Sequence, residues 1–298
     1  MLEVPLPSVE NGRVVVSAPG NGPGNWAGAP QAVLVAGVYW LSYRVRRALG
    51  PERDQTRGVA TVVARSEDGE RFETVVTIGR EAFGTDSFER PCLVRRPGGG
   101  WRLYVCCATP GSKHWWIEAI DADDPSRLAS GDRMVVFAGS DALAVKDPIV
   151  VAGPDGWRAW ICCHPLTQPG EEDRMTTAYA TSSDGLSWDW QGDVLSPIPG
   201  TWDRRGARMA TVVRAEPMVV LYDGRARAED NWHEVTGVAR FRDGVLVPDR
   251  HGPVARSPYS DGALRYAAAV PLPGGGTRFY FEAARPDGAH DLWTSVSP

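Results

Sequence analysis

A pattern of about sixty residues recurs five times in this chain, and it limits the folds open to it. Each copy has a small or charged residue, usually followed by proline, then an apolar run, a turn and a second, often aromatic-rich, apolar run. The copies begin at Ala29-Pro30, Arg90-Pro91, Asp147-Pro148, Arg208-Met209 and Arg265-Tyr266, spaced 61, 57, 61 and 57 residues apart. Self-similarity on this scale marks repeated supersecondary units. A second hairpin is signalled within copies by Asp68-Gly69, Asp184-Gly185 and Asp243-Gly244 between short alternating runs, because both residues tolerate positive φ. Four short strands per copy and five copies predict an all-β, five-bladed β-propeller with four-stranded antiparallel blades. The last copy ends at Leu292-Trp293-Thr294-Ser295-Val296 without a fourth strand. Val14-Val15-Val16 is expected to supply it, an N-terminal strand closing the last blade, so that 1–298 is a single domain.

The rest of the sequence agrees with a turn-rich β protein. Among 298 residues there are 33 glycines, 24 prolines and 12 tryptophans, and helical periodicity is nowhere sustained. A net charge of -5 argues against nucleic-acid or membrane partners. Thirty of the 32 basic residues are arginine, the side chain suited to forked contacts with carboxylate or phosphate. Met1-Leu2-Glu3-Val4-Pro5-Leu6-Pro7 lacks the basic start and apolar core of a signal peptide, and no apolar run nears the roughly 20 residues of a membrane span. The five cysteines, Cys92, Cys106, Cys107, Cys162 and Cys163, include two adjacent pairs and no C-x-x-C. Reduced, space-filling cysteines in a cytoplasmic protein are expected. No histidine shows metal-ligand spacing, so neither a metal nor a cofactor is expected.

The innermost strand of a propeller blade lines the channel, and its first residues face the funnel. These are Ala29, Arg90, Asp147, Arg208 and Arg265, preceded by Gly28, Glu89, Lys146, Ala207 and Leu264. Three arginines and a lysine against Asp147 and Glu89 favour an anionic ligand held by Glu89, Arg90, Lys146, Arg208, Arg265 and Tyr266, because a buried charge is costly unless paired. The alternative is that these charges stitch neighbouring blades together. Alignment of the returning strands places Ser42, Cys106, Cys162, Tyr222 and Glu282 together, with Asp223 next. Asp223 and Glu282 follow apolar runs, where a carboxyl pKa rises and suits a general acid. His290, beside Asp291 in the last copy, is the histidine best placed to reach the ligand.

Five blades, the Asp147-Pro148 dipeptide and the hairpin Thr181-Ser182-Ser183-Asp184-Gly185-Leu186-Ser187-Trp188 resemble the five-bladed glycoside hydrolases, family 43 and its relatives acting on fructans and mannosides. The resemblance implies carboxylates presented in the funnel, with Asp147 as the orienting aspartate. The first-blade general base would then be replaced by Ala29, and Arg208 stands where a general-acid glutamate is implied. The expected function is a glycoside hydrolase-like enzyme acting on an anionic sugar or glycosylated small molecule, with Asp147, Glu282 and Asp223 sharing proton transfer. Two alternatives stay open: a non-hydrolytic lyase, isomerase or cyclase, and a catalytically degenerate carbohydrate-binding propeller. Hydrolysis needs two carboxyls facing one cavity, about 6.5–9.5 Å apart for inversion or about 5–5.5 Å for retention.

Overall fold

The β-branched and aromatic runs between the Gly and Pro turns all form strands. The computed structural model describes residues 4–50 and 55–298, and these form twenty strands with three short 3-10 turns. Strands β2 (Trp26–Val35), β3 (Val38–Ala48), β4 (Thr56–Ser66) and β5 (Glu73–Gly79) pair in sequence order. So do β6 (Cys92–Arg95), β7 (Trp101–Ala108), β8 (Trp115–Ala122) and β9 (Asp132–Phe137). The next set is β10 (Leu143–Gly153), β11 (Gly156–Pro165), β12 (Thr176–Ser182) and β13 (Asp189–Leu195), followed by β14 (Gly206–Arg214), β15 (Val219–Arg225), β16 (Val235–Arg242) and β17 (Val245–Pro248). In the last set, β18 (Leu264–Pro271), β19 (Thr277–Ala284) and β20 (His290–Ser297) are joined by β1 (Gly12–Val16), antiparallel to β20. A single parallel bridge, Trp26 to His290, links this set to β2.

The first strands of successive sets lie against one another in turn, and β18 lies against β2. Each pair of neighbouring sets shares an apolar core. Val63 and Ile78 meet Trp101 and Leu103, Tyr104 and Ile117 meet Trp157 and Ile161, and Trp160 meets Val220 and Tyr222. Leu221 and Val238 meet Phe279 and Phe281, and Leu41 and Tyr43 meet Tyr280 and Leu292.

The hairpins expected at Asp-Gly join β4 to β5, β12 to β13 and β16 to β17. Asp243 and Gly244, at φ 49° and 89°, form a turn with both central residues left-handed. At the β12–β13 turn the Asp184 carboxylate accepts from the N–H groups of Leu186 and Ser187 at 2.8 and 2.9 Å. The Gly185 carbonyl accepts from the Tyr104 hydroxyl of the neighbouring set at 2.8 Å. A side chain at Gly185 would strike Trp157, whose nearest atom would lie 2.7 Å from a Cβ. The repeated turn therefore closes its own hairpin and docks it on the next sheet.

The segment that carries β1 covers the outer edge of β20, buries Val9 and packs Val4 and Leu6 against the Phe279 and Phe281 core. A chain beginning at Ser17 should lose about 3–6 kcal/mol of stability, at about 1.5–3 kcal/mol per buried aliphatic side chain. A urea midpoint equal to that of the full chain would show that β1 is dispensable.

Candidate functional site

The site is built on a repeated interruption of pairing. Gly28 faces Arg44, but Gln31 faces Ser42. Likewise Lys146 faces Cys162 before Ile149 faces Trp160, and Arg265 faces Glu282 before Ala268 faces Tyr280. In β14 the slip falls between Met209, opposite Tyr222, and Thr211, opposite Leu221. Ahead of β6, the Glu89 N–H donates to the Cys106 carbonyl at 3.3 Å, while Cys92 already faces Tyr104. Each is a bulge with one extra residue, which re-aims the side chains beside it. Ala29, Asp147 and Tyr266 sit at the same point of their bulges with φ of 51°, 52° and 56°.

These bulges make Gly28, Glu89, Lys146, Arg208 and Arg265 equivalent, followed by Ala29, Arg90, Asp147, Met209 and Tyr266. The alignment by leading dipeptides is thus one residue out of step between the first three copies and the last two. The facing residues on the second strands are Arg44, Cys106, Cys162, Asp223 and Glu282, so Arg44 and Asp223 replace Ser42 and Tyr222. An extra residue in one strand leaves the apolar pattern of the other unchanged, which is why sequence alone misplaces the register.

The charges at this level form one alternating chain. Arg46 pairs with Glu89, and Glu89 with Arg44. Arg44 Nη2 donates to Glu282 Oε2 at 2.8 Å, and Glu282 Oε1 pairs with Arg265 at 2.7 Å. Arg265 Nη1 donates to Glu234 Oε2 at 2.6 Å, and Glu234 pairs with Arg225. Arg208 branches from the chain, 4.0 Å from Glu234, and donates to Asp223 at 2.8 Å and Asp147 at 3.0 Å. Five arginines thus meet five carboxylates, all buried. Arg90 is held differently. Its guanidinium donates to the carbonyls of Pro30 (2.8 Å), Ala210 (2.8 Å) and Ala267 (3.1 Å), and its own N–H donates to Asp147 Oδ1 at 3.1 Å.

Local fit holds the chain in place. The Glu282 carboxylate lies against Gly28, where a Cβ would sit 2.0 Å from Oε2, and accepts from the Ala29 N–H at 3.0 Å. The His290 ring meets Glu282 Oε1 through Nδ1 at 2.7 Å. The Tyr266 hydroxyl accepts from Arg208 at 2.8 Å and lies 3.3 Å from Asp147 and 3.5 Å from Glu89. Burial alone would raise all these carboxyl pKa values. Arg44 and Arg46 nonetheless hold Glu89 below the usual range, Arg265 and Arg225 do so for Glu234, and Arg265 and Arg44 for Glu282. For Asp223 burial outweighs Arg208, and its pKa is raised. Burial also keeps Tyr266 protonated.

A cavity of about 310 Å³ opens beside one part of this network. Buried Glu89, Arg46 and His164 line it, together with half-buried Lys146, Trp115, Trp232, Asp86, Glu172 and Asp173 and exposed Lys113. Lys113 pairs with Glu172 at 3.1 Å, and Asp173 pairs with Arg205 at 2.6 Å. Lys146 lies 5.1 Å over the Trp115 ring and close enough to help keep Glu89 ionised, without an ion-pair partner among the described residues. Burial holds His164 neutral, and its Nδ1 contacts the Glu172 carbonyl at 2.9 Å.

Of the residues singled out from sequence, Glu89 and Lys146 line the cavity. Asp147, Asp223, Glu282, Arg90, Arg208, Arg265, Tyr266 and His290 come together in the buried network and are not among the cavity residues. Arg44, Arg46, Arg225 and Glu234 were missed; shifting the first copy's second strand by two residues would have found Arg44 opposite Gly28. Trp115 lines the cavity, whereas Trp26 is buried against His290 and Trp202 packs on Tyr222. All five cysteines are buried and free.

The chain shares the fold of propeller-type glycoside hydrolases. It is similar to a glycosyl hydrolase from Bacteroides ovatus, with 13% identity, 99% of this chain and 94% of that chain covered and a TM-score of 0.61. It is similar to β-1,2-mannobiose phosphorylase from Listeria innocua bound to β-1,2-mannobiose, with 14% identity, coverage of 98% and 92% and a TM-score of 0.60. A further structure described as a glycoside hydrolase aligns with a TM-score of 0.72 at 11% identity, covering 99% and 92%. No protein-family model and no curated protein sequence matches the chain.

The network sets the response to acid. Glu89, Glu234 and Glu282 titrate below the ordinary 4.5, so their contribution is present above that pH and lost as pH falls below it. Asp223, raised above 3.8, has the opposite sign and loses its contribution as pH rises from 3.8 towards its folded value. Three groups against one predict stability that falls below pH 4.5. Glu282→Gln should reduce that acid dependence by about one proton and cost about 3–5 kcal/mol at neutral pH by leaving Arg265 and Arg44 short of a partner. Acid unfolding followed by circular dichroism measures both; equal slopes would show that Glu282 is not held ionised.

Proposed function

We propose that residues 1–298 form one five-bladed propeller, closed by β1 beside β20, whose cavity takes a sugar or glycosylated small molecule bearing a carboxylate, phosphate or sulfate. Lys146 carries this reading. The other cations nearby pair with carboxylates or donate to carbonyls, while Lys146 faces the cavity beside an aromatic face without an ion-pair partner of its own among the described residues. An anion there gains a charge-assisted contact, and Trp115 and Trp232 offer flat apolar surfaces to a sugar ring. The glycosidase fold and its sugar-bound phosphorylase neighbour support a carbohydrate over other small anions. A small soluble ligand in a cytoplasmic protein fits this picture, without a nucleic-acid or membrane partner.

For chemistry, Glu89 is the carboxylate that meets the ligand. Its low pKa suits accepting hydroxyl hydrogen bonds and stabilising positive charge, not donating a proton. Asp147, outside the cavity lining, is linked to Glu89 through the Tyr266 hydroxyl. The glycosidase-like reading gives proton transfer to that Glu89–Tyr266–Asp147 line, with Asp223 and Glu282 holding its arginines. A second reading, a binding propeller without turnover, is favoured by one observation: of Glu89, Asp147, Asp223 and Glu282, Glu89 alone lines the cavity, and the other cavity acids are already engaged, Asp86 by the Gly111 N–H, Glu172 by Lys113 and Asp173 by Arg205, whereas hydrolysis needs two carboxyls facing the substrate.

Calorimetric titration with neutral sugars, uronates and sugar phosphates tests the ligand class. Lys146→Ala should weaken anionic sugars at least tenfold, about 1.4 kcal/mol, and leave neutral sugars unchanged. Neutral sugars binding best, with no change in the variant, would overturn the reading. Incubating the ligand so found with wild type and Glu89→Gln separates turnover from binding alone.

A further inference from the structure

We propose that His233, Asp261 and His290 form a binding site for a divalent transition-metal ion of the zinc type, beside the ligand cavity and separate from it. One ligand atom from each of the three lies within 4.8 Å of the others. The His233 and His290 rings are 6.4 Å apart, and His233 Nδ1 pairs directly with Asp261 Oδ2. Two imidazoles and a carboxylate are a borderline donor set suited to zinc, which takes nitrogen at about 2.0–2.1 Å and tolerates a fourth, open position.

His290 points most directly to a metal. It is completely buried, its Nδ1 is occupied by Glu282, and its Nε2 has no hydrogen-bond partner. A carboxylate can only accept, so the ring proton of neutral His290 sits on Nδ1 and Nε2 carries a bare lone pair. A histidine oriented by a carboxylate through one nitrogen, with the other free, is the arrangement that tunes metal-bound imidazole. Trp26 stacks on the ring at 4.8 Å and fixes its plane. Without an acceptor or an ion, a buried lone pair is left unsatisfied at a cost.

The three ligands come from three chain segments: the loop before β16, the loop before β18 and the start of β20. Sequence spacing therefore carries no metal signature, and the fold creates the cluster. His233 follows Trp232, which lines the ligand cavity and packs against Trp26 at 5.7 Å. A bound ion would pin that cavity wall to the buried network through His290 and Glu282.

The test uses the full chain, stripped with EDTA and titrated with Zn²⁺ by calorimetry and thermal unfolding, then with Co²⁺, whose visible bands report low coordination number. One equivalent per chain should bind and raise the melting temperature. His233→Ala and Asp261→Asn, at partly exposed positions, should each weaken Zn²⁺ at least tenfold while the metal-free variants melt close to wild type. Absence of saturable binding, or affinity unchanged in both variants, would overturn the site. Sugar titrations of the metal-free protein keep this result distinct from the ligand reading.

Discussion

A guanidinium enclosed by protein must have its charge met or its donors filled, and at the centre of this molecule both solutions are used. Arg44, Arg46, Arg208, Arg225 and Arg265 alternate with Glu89, Glu282, Glu234, Asp223 and Asp147. Arg90 instead spends its donors on carbonyls of β2, β14 and β18 while its N–H reaches Asp147 in β10. Lying just before β6, it ties the first strands of all the sets together. Isolated buried charges would be costly, so the arrangement holds only when every sheet is in place. That couples the packing of the sheets against one another to the formation of the site.

This pairing redistributes the functional roles. Of the arginines that look like an anion cradle in sequence, Arg208 and Arg265 are neutralised inside the fold by carboxylates, among them Asp147, Asp223 and Glu282, and Arg90 is filled by carbonyls. Of the residues singled out from sequence as charged ligand contacts, Glu89 and Lys146 line the cavity, together with Trp115 and Trp232. The same pairing explains why His290 keeps one nitrogen engaged and the other bare, since Glu282 is shared between two arginines and that ring.

Much of the architecture was legible. The sixty-residue recurrence marks where each set starts, the Asp-Gly hairpins lie where alternation predicts them, and β1 pairs with β20 as the short last copy suggests. Register at the bulges was not legible. One extra residue beside Ala29, Asp147, Ala210 or Tyr266 leaves hydrophobic spacing intact but changes which side chain points inward. Glu234 and Arg225 were hidden for another reason: they sit outside the leading dipeptides, and only folding brings them to Arg265 and Arg208. The histidine cluster likewise joins segments distant in sequence.

The central claim is that the buried arginines belong to the scaffold and that the ligand's charge is met at the cavity by Lys146. A crystal structure of the protein soaked with a uronic acid glycoside tests it most directly. The account predicts the sugar carboxylate within hydrogen-bond distance of Lys146 Nζ, with the Arg208–Asp223 and Arg265–Glu282 pairs intact. A carboxylate seated on Arg90, Arg208 or Arg265, with those pairs broken, would contradict it.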